Sequence, residues 1–515
     1  MLFKALSAAV YGIDAHIIDV EVDFSGIQVQ EERFSTVGLP DAAVRESRDR
    51  VRAAIRNSGF SLPPTHITIN LAPADLKKEG SGFDLPIAIG ILGAYGALQN
   101  RDISQFLTVG ELGLDGSVRG VPGMLPIAVA AKQHGIANLI VPAANATEAA
   151  VVEGINVYPV ESLPAARELL NAAANGGIQT PPCRVRSSEM LEALQHFPFD
   201  FKDVRGQTLA KRALEIAAAG GHNILMIGPP GSGKTMLAKR LPSILAPLRF
   251  AEALETTKIH SVAGVLDADA GLVTQRPFRS PHHTISNAGL TGGGSVPRPG
   301  EVSLAHHGVL FLDELPEFKR SVLETMRQPL EAGRVTISRA AGTMTFPCEF
   351  MLIAAMNPTP DGKMPHESRS TPRQIQQYLG RVSGPLLDRI DIHIEVPLIA
   401  FKDMTAREPG ESSQSIRDRV MQARQRQLCR FKTRPRITCN ARMGSREIKQ
   451  HCVLDAAGME VVKFAMSDLH LSARAFDRVL KVARTIADLA GSEPIASDHL
   501  SEAIQFRSLD RQIWT

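Results

Sequence analysis

Residues 222–235 of this 515-residue chain read HNILMIGPPGSGKT, and this stretch decides the fold of the region around it. It runs from an apolar strand through a glycine-rich turn into the start of a helix. Gly228, Gly233, Lys234 and Thr235 match G-x-x-x-x-G-K-[ST], the phosphate-binding loop. The glycines let backbone N–H groups point at a phosphate, and the following helix adds the positive end of its dipole. The stretch therefore predicts a nucleotide site.

Each position of this loop has an expected role. Lys234 is expected to reach the β- and γ-phosphates of ATP, and the hydroxyl of Thr235 to hold Mg²⁺. An ordinary Gly/Pro turn is the alternative, but the strand and the helix stand on the correct sides of the motif. We therefore expect ATP and Mg²⁺ as cofactors. The predicted nucleotide-binding residues are Gly228, Pro229, Pro230, Gly231, Ser232, Gly233, Lys234 and Thr235.

A second apolar strand, residues 308–312, ends in Asp313 and Glu314. Asp313 is expected to hold Mg²⁺, directly or through a water molecule, and Glu314 to polarise the attacking water. An apolar run that ends in two acids is weak evidence alone, but it is strong evidence after a phosphate loop in the same chain. Together the two motifs predict ATP hydrolysis by a motor more than phosphoryl transfer by a kinase.

The bulk properties are those of a soluble globular protein, with 44% hydrophobic and 22% charged residues. The length predicts about two to four domains. The chain has five cysteines and no C-x-x-C pair, which favours a reducing compartment. Cys429, Cys439 and Cys452 match no zinc signature, so ordinary thiols are the default interpretation. The longest apolar stretch, residues 85–98, contains Pro and Gly and is shorter than the roughly 20 residues that span a bilayer. We expect a cytoplasmic protein without a membrane segment.

Residues 1–170 are predicted to form an α/β domain, because β-branched strands alternate with helical patterns. The predicted strands are 17–22, 67–71 and 139–141, and the predicted helices are 44–58 and 126–134. The next segment, residues 171–195, is small, polar and rich in Pro and Gly. That is the composition of a linker.

Residues 108–123, TVGELGLDGSVRGVPG, resemble the proteolytic domain of Lon. Lon works with a serine nucleophile and a lysine base. In this sequence Gly82 stands at the position of the serine, with Ser81 one residue away, and Leu125 stands at the position of the lysine. A serine without a base is a poor nucleophile. The resemblance therefore implies a Lon protease-like fold without protease chemistry.

Residues 196–400 resemble an AAA+ ATPase core. In that family a stretch similar to residues 203–207 lies against the adenine, which makes Val204 and Gln207 candidates for the adenine pocket. A capped surface helix is the alternative for these two residues. A third apolar strand, residues 350–356, ends in Asn357, which matches the polar sensor 1 residue beside the γ-phosphate.

The run GPLLDRID at residues 384–391 resembles the arginine-finger motif of AAA+ proteins, which makes Arg389 the candidate finger. A surface salt bridge is the alternative for this residue. In AAA+ proteins the finger acts on the ATP of the neighbouring subunit. The resemblance therefore implies a homo-oligomeric ring, usually a hexamer.

Two segments depart from a minimal AAA+ core, and both resemble inserts of magnesium-chelatase ATPases and MCM helicases. Residues 277–307 match the helix-2 insert, and residues 333–346 alternate like a β-hairpin at the position of the pre-sensor-1 hairpin. In the helicases these hairpins line the pore, and a basic residue at the second tip touches DNA phosphates. Arg339 is the matching residue, with Arg334 nearby. The histidine pairs, His282/His283 and His306/His307, are expected to be hairpin and packing residues.

Residues 401–515 are predicted to form a C-terminal helical lid domain. Residues 401–450 contain thirteen Lys and Arg against five Asp and Glu. Such a charge run is either a solvated face or a contact with a phosphate backbone or an acidic neighbour, and the sequence leaves both open. The run LSARAFDR at residues 471–478 resembles the start of the sensor 2 helix of an AAA+ lid. Arg474 is therefore the candidate γ-phosphate contact from the lid.

The combination of these motifs resembles the YifB/ComM family, described as magnesium-chelatase-like, over nearly the whole chain. ComM members are ring-forming ATPases that drive branch migration of DNA during natural transformation of bacteria. The resemblance implies an ATP-driven hexameric DNA motor acting on branched or three-stranded recombination intermediates. The alternative is a chelatase-like ATPase that remodels a partner protein, although the chain has no D-x-S-x-S metal-adhesion signature. An ATP-dependent protease is a third hypothesis, which the missing lysine disfavours.

Overall fold

The computed structural model describes most of the chain as two compact units. The first unit comprises Met1–Leu194 and Arg249–Thr274, and the second comprises Gln195–Leu248 and Gln275–Thr515. The described residues are 1–25, 33–175, 177–192, 197–267, 270–294, 297–339, 342–399, 410–434, 436–468 and 472–509. Parts of the predicted linker, the tips of both predicted hairpins, residues 401–409 and Leu471 lie outside them.

The secondary structure follows the hydrophobic patterns of the sequence. The strands are β1 (Leu2–Tyr11), β2 (Asp14–Phe24), β3 (Arg33–Val37), β4 (His66–Ala72), β5 (Phe106–Thr108), β6 (Glu111–Leu112), β7 (Val118–Arg119), β8 (Asn138–Pro142), β9 (Asn156–Val160), β10 (Ile224–Ile227), β11 (Phe278–Arg279), β12 (Gly292–Gly293), β13 (Arg298–Pro299), β14 (Val309–Leu312), β15 (Arg334–Arg339), β16 (Gly342–Pro347), β17 (Met351–Met356) and β18 (Ile392–Glu395). The helices are α1 (Ala42–Asn57), α2 (Asp84–Tyr95), α3 (Met124–Gln133), α4 (Ala146–Ala150), α5 (Leu163–Ala174), α6 (Ser187–Glu192), α7 (Thr208–Gly220), α8 (Lys234–Arg240), α9 (Phe250–Ala263), α10 (Asn287–Thr291), α11 (Glu301–Leu304), α12 (Arg320–Thr325), α13 (Arg327–Ala332), α14 (Pro372–Leu379), α15 (Gly384–Leu387), α16 (Ser413–Arg430), α17 (Ser445–His451), α18 (Ala456–Asp468), α19 (Ala473–Ala490) and α20 (Ser497–Gln505).

The first unit is built on a mixed sheet with the strand order β3-β4-β2-β1-β5-β8-β9. The strands and helices predicted for residues 1–170 are confirmed as β2, β4, β8, α1 and α3. Helix α2 is apolar on all sides and is buried against β1 and β2. Its Gly93 permits this close packing, since a Cβ atom there would lie 2.6 Å from three atoms of the Phe3 ring.

Residues 249–274 pack in the first unit, although they lie within the predicted ATPase core. Helix α9 in this segment packs on α3. The buried carboxylate of Glu148 accepts hydrogen bonds from the Leu125 N–H at 2.8 Å and from the Ser261 hydroxyl, and the Ser261 carbonyl accepts one from the Gly123 N–H at 3.1 Å. Burial raises the pKa of Glu148, and these hydrogen bonds partly offset the effect. A polar network therefore fixes α9 to the first unit.

The second unit is built on a parallel sheet with the strand order β11-β14-β17-β10-β18. Every residue of β10, β14 and β17 is buried, as expected for strands covered on both faces. The C-terminal helices α16 and α19 pack on α7, and their apolar residues join one core with those of the sheet. The predicted hairpin at residues 333–346 is confirmed as the antiparallel pair β15 and β16.

The tight contact of α2 with β1 predicts a stability change. Gly93→Ala should lower the stability of the first unit by about 1–3 kcal/mol, because overpacking a close-packed core costs that much. Gly384→Ala is the control, since a Cβ atom there meets nothing within 4 Å. Calorimetric unfolding of both variants measures the effect, and Phe3→Leu should partly rescue Gly93→Ala. An unchanged first-unit transition in Gly93→Ala would contradict this packing.

Candidate nucleotide site

Three adjacent parallel strands bring the predicted motifs to one edge of the sheet. Strand β10 pairs with β17, and Ile227 lies opposite Met356. Strand β14 pairs with the other side of β17, and Leu312 lies opposite Ala354. The residue that follows each strand therefore emerges at the same carboxyl edge. This edge carries the phosphate loop, Asp313 with Glu314, and Asn357.

The phosphate loop has the conformation that its glycines permit. A Cβ atom on Gly228 would lie 2.1 Å from the carbonyl oxygen of Val396, so only glycine fits there. Gly231 and Gly233 have φ angles of 78° and 92°, in the left-handed region that favours glycine. Helix α8 begins directly after Gly233, at Lys234. The loop therefore presents backbone N–H groups and a helix N-terminus, as the site of a phosphate requires.

Lys234 lies at the centre of the loop. Its Nζ donates hydrogen bonds to the carbonyl of Gly228 at 2.6 Å, the carbonyl of Pro229 at 3.0 Å and Oδ1 of Asn357 at 3.2 Å. Burial lowers the pKa of Lys234, and the charges of Asp313 and Glu314 oppose that shift. The structure thus brings the predicted Lys234 and Asn357 together, with the amine held where a phosphate would approach.

Thr235 and Asp313 supply oxygen ligands of the kind that Mg²⁺ prefers. The Thr235 hydroxyl donates to Oδ2 of Asp313 at 2.6 Å, and the backbone N–H of Glu314 donates to Oδ1 of Asp313 at 3.0 Å. This donor set fits a magnesium ion bound together with ATP phosphates. Glu314, next in sequence, lies at the same edge with a more exposed side chain.

The two candidate adenine residues have different surroundings. The Gln207 side chain donates to the Pro397 carbonyl at 2.7 Å and to the carbonyl of Ser232, in the phosphate loop, at 3.3 Å. Val204 is fully buried in the core of the second unit. Gln207 therefore lies beside the loop, and contact of either residue with adenine stays a prediction.

Arg389 lies at the opposite edge of the sheet from the phosphate loop. Strand β18 runs parallel to β10 with Ile392 opposite Ile224, and the Arg389 carbonyl accepts a hydrogen bond from Asn223 at 3.0 Å. Four strand residues separate this edge from the loop, which is about 13 Å at the usual rise. The Arg389 guanidinium is buried and pairs with Glu331 and the Pro385 carbonyl. Its geometry disfavours contact with the nucleotide of its own chain.

Arg474 is exposed near the start of α19, one helical turn before Arg478. The Arg478 guanidinium contacts Asp391, which follows Arg389 by two residues. Asp391 also accepts from the backbone N–H of Asn223 at 3.0 Å. The pKa of Asp391 lies well below its ordinary value, because the Arg478 charge and His222 outweigh the effect of burial. Asp391 therefore ties the start of α19 to the amino edge of the sheet.

The two candidate DNA-binding arginines lie at opposite ends of one strand. Arg334 begins β15 at the base of the hairpin, and Arg339 ends it near the tip, where both side chains are exposed. A Cβ atom on Gly293, in the strand β12, would lie 3.6 Å from Nη2 of Arg339. Gly293 is paired with Arg298 across the small hairpin of β12 and β13. The structure thus groups Arg339 with the insert hairpin and not with Arg334.

The basic segment before residue 450 is largely used within the second unit. Arg417 is buried and donates to the Ser243 carbonyl at 2.8 Å. Other arginines of this segment pair with acids: Arg419 with Glu215 and Glu411, Arg430 with Asp488, and Arg434 with Glu447. Exposed cations remain at Lys432, Arg436, Arg446 and Lys449. Internal pairing therefore accounts for much of a charge run that the sequence leaves open between solvent and phosphate.

In the first unit, the positions that match the Lon dyad lack its chemistry. Gly82 lies in a short 3₁₀ turn, and Leu125 is fully buried in α3. The neighbouring Ser81 hydroxyl is hydrogen-bonded to the carboxylate of Glu111. Lys78, which is also buried, donates to the Pro73 carbonyl. The described contacts therefore give Ser81 no lysine base.

Neither the cysteines nor the helices add a further site. In the part of the chain that the structure describes, no group of three potential metal ligands includes Cys429, Cys439 or Cys452. Within that same part, every helix is too short or too polar to cross a bilayer.

Sequence reasoning missed several residues that position this site. Asp391 stands in the arginine-finger run, but its role depends on Arg478, which is far away in the sequence. Asp361 follows Asn357 and accepts hydrogen bonds from Thr359 and Ser368, which holds the pKa of this carboxyl well below its ordinary value. A loop rich in Asp, Ser and Thr after a sensor strand was the available signal. His283 and Glu331 gave no local signal.

Three family models match the chain in succession. Residues 20–145 match the model described as "Subunit ChlI of Mg-chelatase". Residues 200–404 match "Magnesium chelatase, subunit ChlI", and residues 410–507 match "Magnesium chelatase, subunit ChlI C-terminal". The second of these matches contains the whole predicted nucleotide site except Arg474.

Relatives match over nearly the full length. The chain is 44% identical over 507 residues to the competence protein ComM of Haemophilus influenzae, which covers 98% of this chain and 97% of the relative. It is 45% identical over 509 residues to the protein YifB of Escherichia coli, covering 98% of this chain and 96% of the relative. A shorter match, 32% identical over 161 residues, joins it to Lon protease 2 of Bacillus subtilis, with 28% of this chain and 27% of the relative covered.

The geometry at the carboxyl edge predicts that binding and hydrolysis separate. Glu314→Gln should bind ATP normally and lower its turnover by about 10²- to 10⁴-fold, because the base that activates water is lost. Lys234→Ala should weaken ATP binding itself. Fluorescent-nucleotide titration and phosphate release measure the two effects. Glu317→Gln, which removes an exposed acid paired with Arg381, is the control. Wild-type turnover by Glu314→Gln would contradict this assignment.

Proposed function

The chain belongs to the YifB/ComM family of magnesium-chelatase-like AAA+ proteins, and on this basis we propose that it is an ATP-driven DNA motor of branch-migration type. Membership of this family implies ATPase activity. The motor function goes further and rests on one observation above all. Arg339 is exposed beside the insert hairpin of the same unit that holds the nucleotide site. Its substrate would be branched or three-stranded DNA, as in recombination during natural transformation.

The charge distribution supports DNA as the substrate. The second unit contains 40 Lys and Arg against 29 Asp and Glu, whereas the first contains 17 against 25. The positive net charge of the chain is therefore concentrated in the unit with the hairpins. Among the described residues, neither Arg339 nor Arg298 forms a salt bridge with a carboxylate. Free guanidinium groups attract the phosphate backbone independently of base sequence.

The placement of Arg389 and Arg474 supports a ring. Arg389 lies at the edge of the sheet opposite to its own phosphate loop, and Arg474 lies one helical turn from the residue that binds Asp391 at that same edge. In the proposed assembly both arginines act on the ATP of a neighbouring copy, and Arg389 leaves Glu331 to do so. A closed ring, which we propose is a hexamer, provides such a neighbour at every site.

The alternative is an ATPase that remodels a partner protein, as the family models of magnesium chelatase suggest. It uses the same nucleotide site and the same ring. The exposed arginine beside the insert hairpin favours the DNA hypothesis, because a guanidinium offers a phosphate backbone several N–H donors. The name of the competence protein ComM also suggests a link to DNA.

A strand-displacement assay with branched DNA tests the proposal. We expect ATP-dependent displacement by the wild type and none by Lys234→Ala. Arg339→Ala should weaken DNA binding and reduce the salt dependence of binding by about one phosphate contact per subunit. Arg373→Ala, which removes an exposed arginine of α14, is the control. Strong ATPase without DNA binding or displacement at any salt concentration would contradict the motor function.

A mixing experiment tests the shared site. Arg389→Ala should lower turnover by about 10³-fold or more, the usual contribution of an arginine finger. Lys234→Ala should also be inactive. Mixed rings should regain part of the activity, because a Lys234→Ala subunit can offer its Arg389 to the intact loop of an Arg389→Ala neighbour. Phosphate release from mixtures measures this recovery, and mixtures as inactive as the separate variants would contradict action in trans.

A further inference from the structure

The histidine pair His282/His283 has a neighbour that the sequence did not indicate. Nδ1 of His283 lies 3.4 Å from Oε2 of Glu314, the expected base of ATP hydrolysis. The His283 side chain is 30% exposed and the Glu314 side chain 58% exposed, so the contact is accessible and can be broken without opening the core. An imidazole can donate a hydrogen bond to a carboxylate or, when protonated, pair with it.

The strand order shows which way this contact turns the Glu314 carboxylate. His283 follows β11, and Glu314 follows β14, which is the next strand in the sheet. The phosphate loop follows β10, which lies two strands away on the other side of β14. Contact with His283 therefore directs the carboxylate away from the phosphates. The preceding residue does the opposite, since Asp313 accepts a hydrogen bond from Thr235 in the helix of the phosphate loop.

The backbone and the ring environment both fix this arrangement. Glu314 has a φ angle of 53°, a left-handed conformation that is uncommon for a residue with a side chain. Its carbonyl accepts a hydrogen bond from Glu317 at 2.8 Å. The His283 ring packs edge-on against Phe318 at 6.3 Å and lies 4.1 Å from the His282 ring. Each partner of the contact is thus held from its own side.

His283 is also connected to the proposed DNA contact. The segment after it continues through α10 into β12, whose Gly293 lies beside the Arg339 guanidinium. A Cβ atom on Gly292 would lie 2.8 Å from Cδ1 of Ile337 in β15, so the two hairpins are closely packed. A displacement of either hairpin by DNA would therefore be passed along a short stretch of chain to His283.

We infer that His283 is a positioning residue that holds the Glu314 carboxylate away from the attacking water until the insert hairpin moves. This inference rests on the proposed function for its signal, which is DNA bound at the hairpins. It does not rest on that function for the hold itself, which follows from the contact and the strand order. His283 would thereby couple binding at the hairpins to hydrolysis at the phosphate loop.

Steady-state ATP hydrolysis by full-length variants tests the role of His283. Without DNA, His283→Ala should raise kcat about two- to fivefold at unchanged KM, because an accessible contact of this kind is weak. The ratio of rates with and without branched DNA should fall by the same factor. His283→Asn keeps a hydrogen-bond donor and should resemble the wild type. His282→Ala removes a ring from the same turn without a carboxylate contact and is the matched control.

Two further measurements make the test decisive. Thermal unfolding of each variant checks that the fold is intact, and the double variant His283→Ala/Glu314→Gln should lose the gain, because the effect acts through Glu314. An unchanged or lower kcat in His283→Ala overturns the inference, as does an equal rise in His282→Ala. If DNA fails to stimulate the wild type while His283→Ala still raises kcat, the hold is supported and DNA as its signal is overturned.

Discussion

The parallel alignment of β14, β17 and β10 is the constraint on which the nucleotide site depends. These strands are short and fully buried, so their register is fixed by packing on both faces of the sheet. Because they run in the same direction, the phosphate loop, Asp313 and Asn357 emerge at one edge. The hydrogen bonds from Lys234 to Asn357 and from Thr235 to Asp313 follow from that alignment. A slip of one residue would separate them.

The same alignment places the other half of the chemistry out of reach. Arg389 precedes β18 and therefore lies at the amino edge, about 13 Å of strand away from the loop. Asp391 fixes α19 at that edge through Arg478, and Arg474 lies one turn further on. One chain thus has one surface that binds a nucleotide and another that can complete the site of a neighbour. This separation is the structural reason for proposing a ring.

Much of the fold and of the site could be predicted from the sequence, because the signals are local. The phosphate loop needs glycines at fixed spacing, the acids of Asp313 and Glu314 follow an apolar run, and the hairpin of β15 and β16 alternates. What escaped prediction depends on contacts between distant segments. Residues 249–274 pack with the first unit through Ser261 and Glu148, which no periodicity reveals.

Charge counts mislead for the same reason. The segment that contains Arg417 and Arg430 is strongly basic, yet its arginines bind carbonyls and acids elsewhere in the second unit. The contact of His283 with Glu314 likewise joins two strands that are adjacent in the sheet and separated in the sequence. Composition reports how many charges a segment has, and only the fold shows which of them are free.

The central claim is that hydrolysis at the phosphate loop drives movement on DNA. Its most direct test is ATP turnover by the full-length protein, measured at low salt with no DNA and with single-stranded, duplex and branched DNA. The account predicts that DNA raises kcat, and that Arg339→Ala loses most of this increase while keeping its turnover without DNA. Vigorous turnover that no form of DNA changes would contradict it and would favour a protein partner instead.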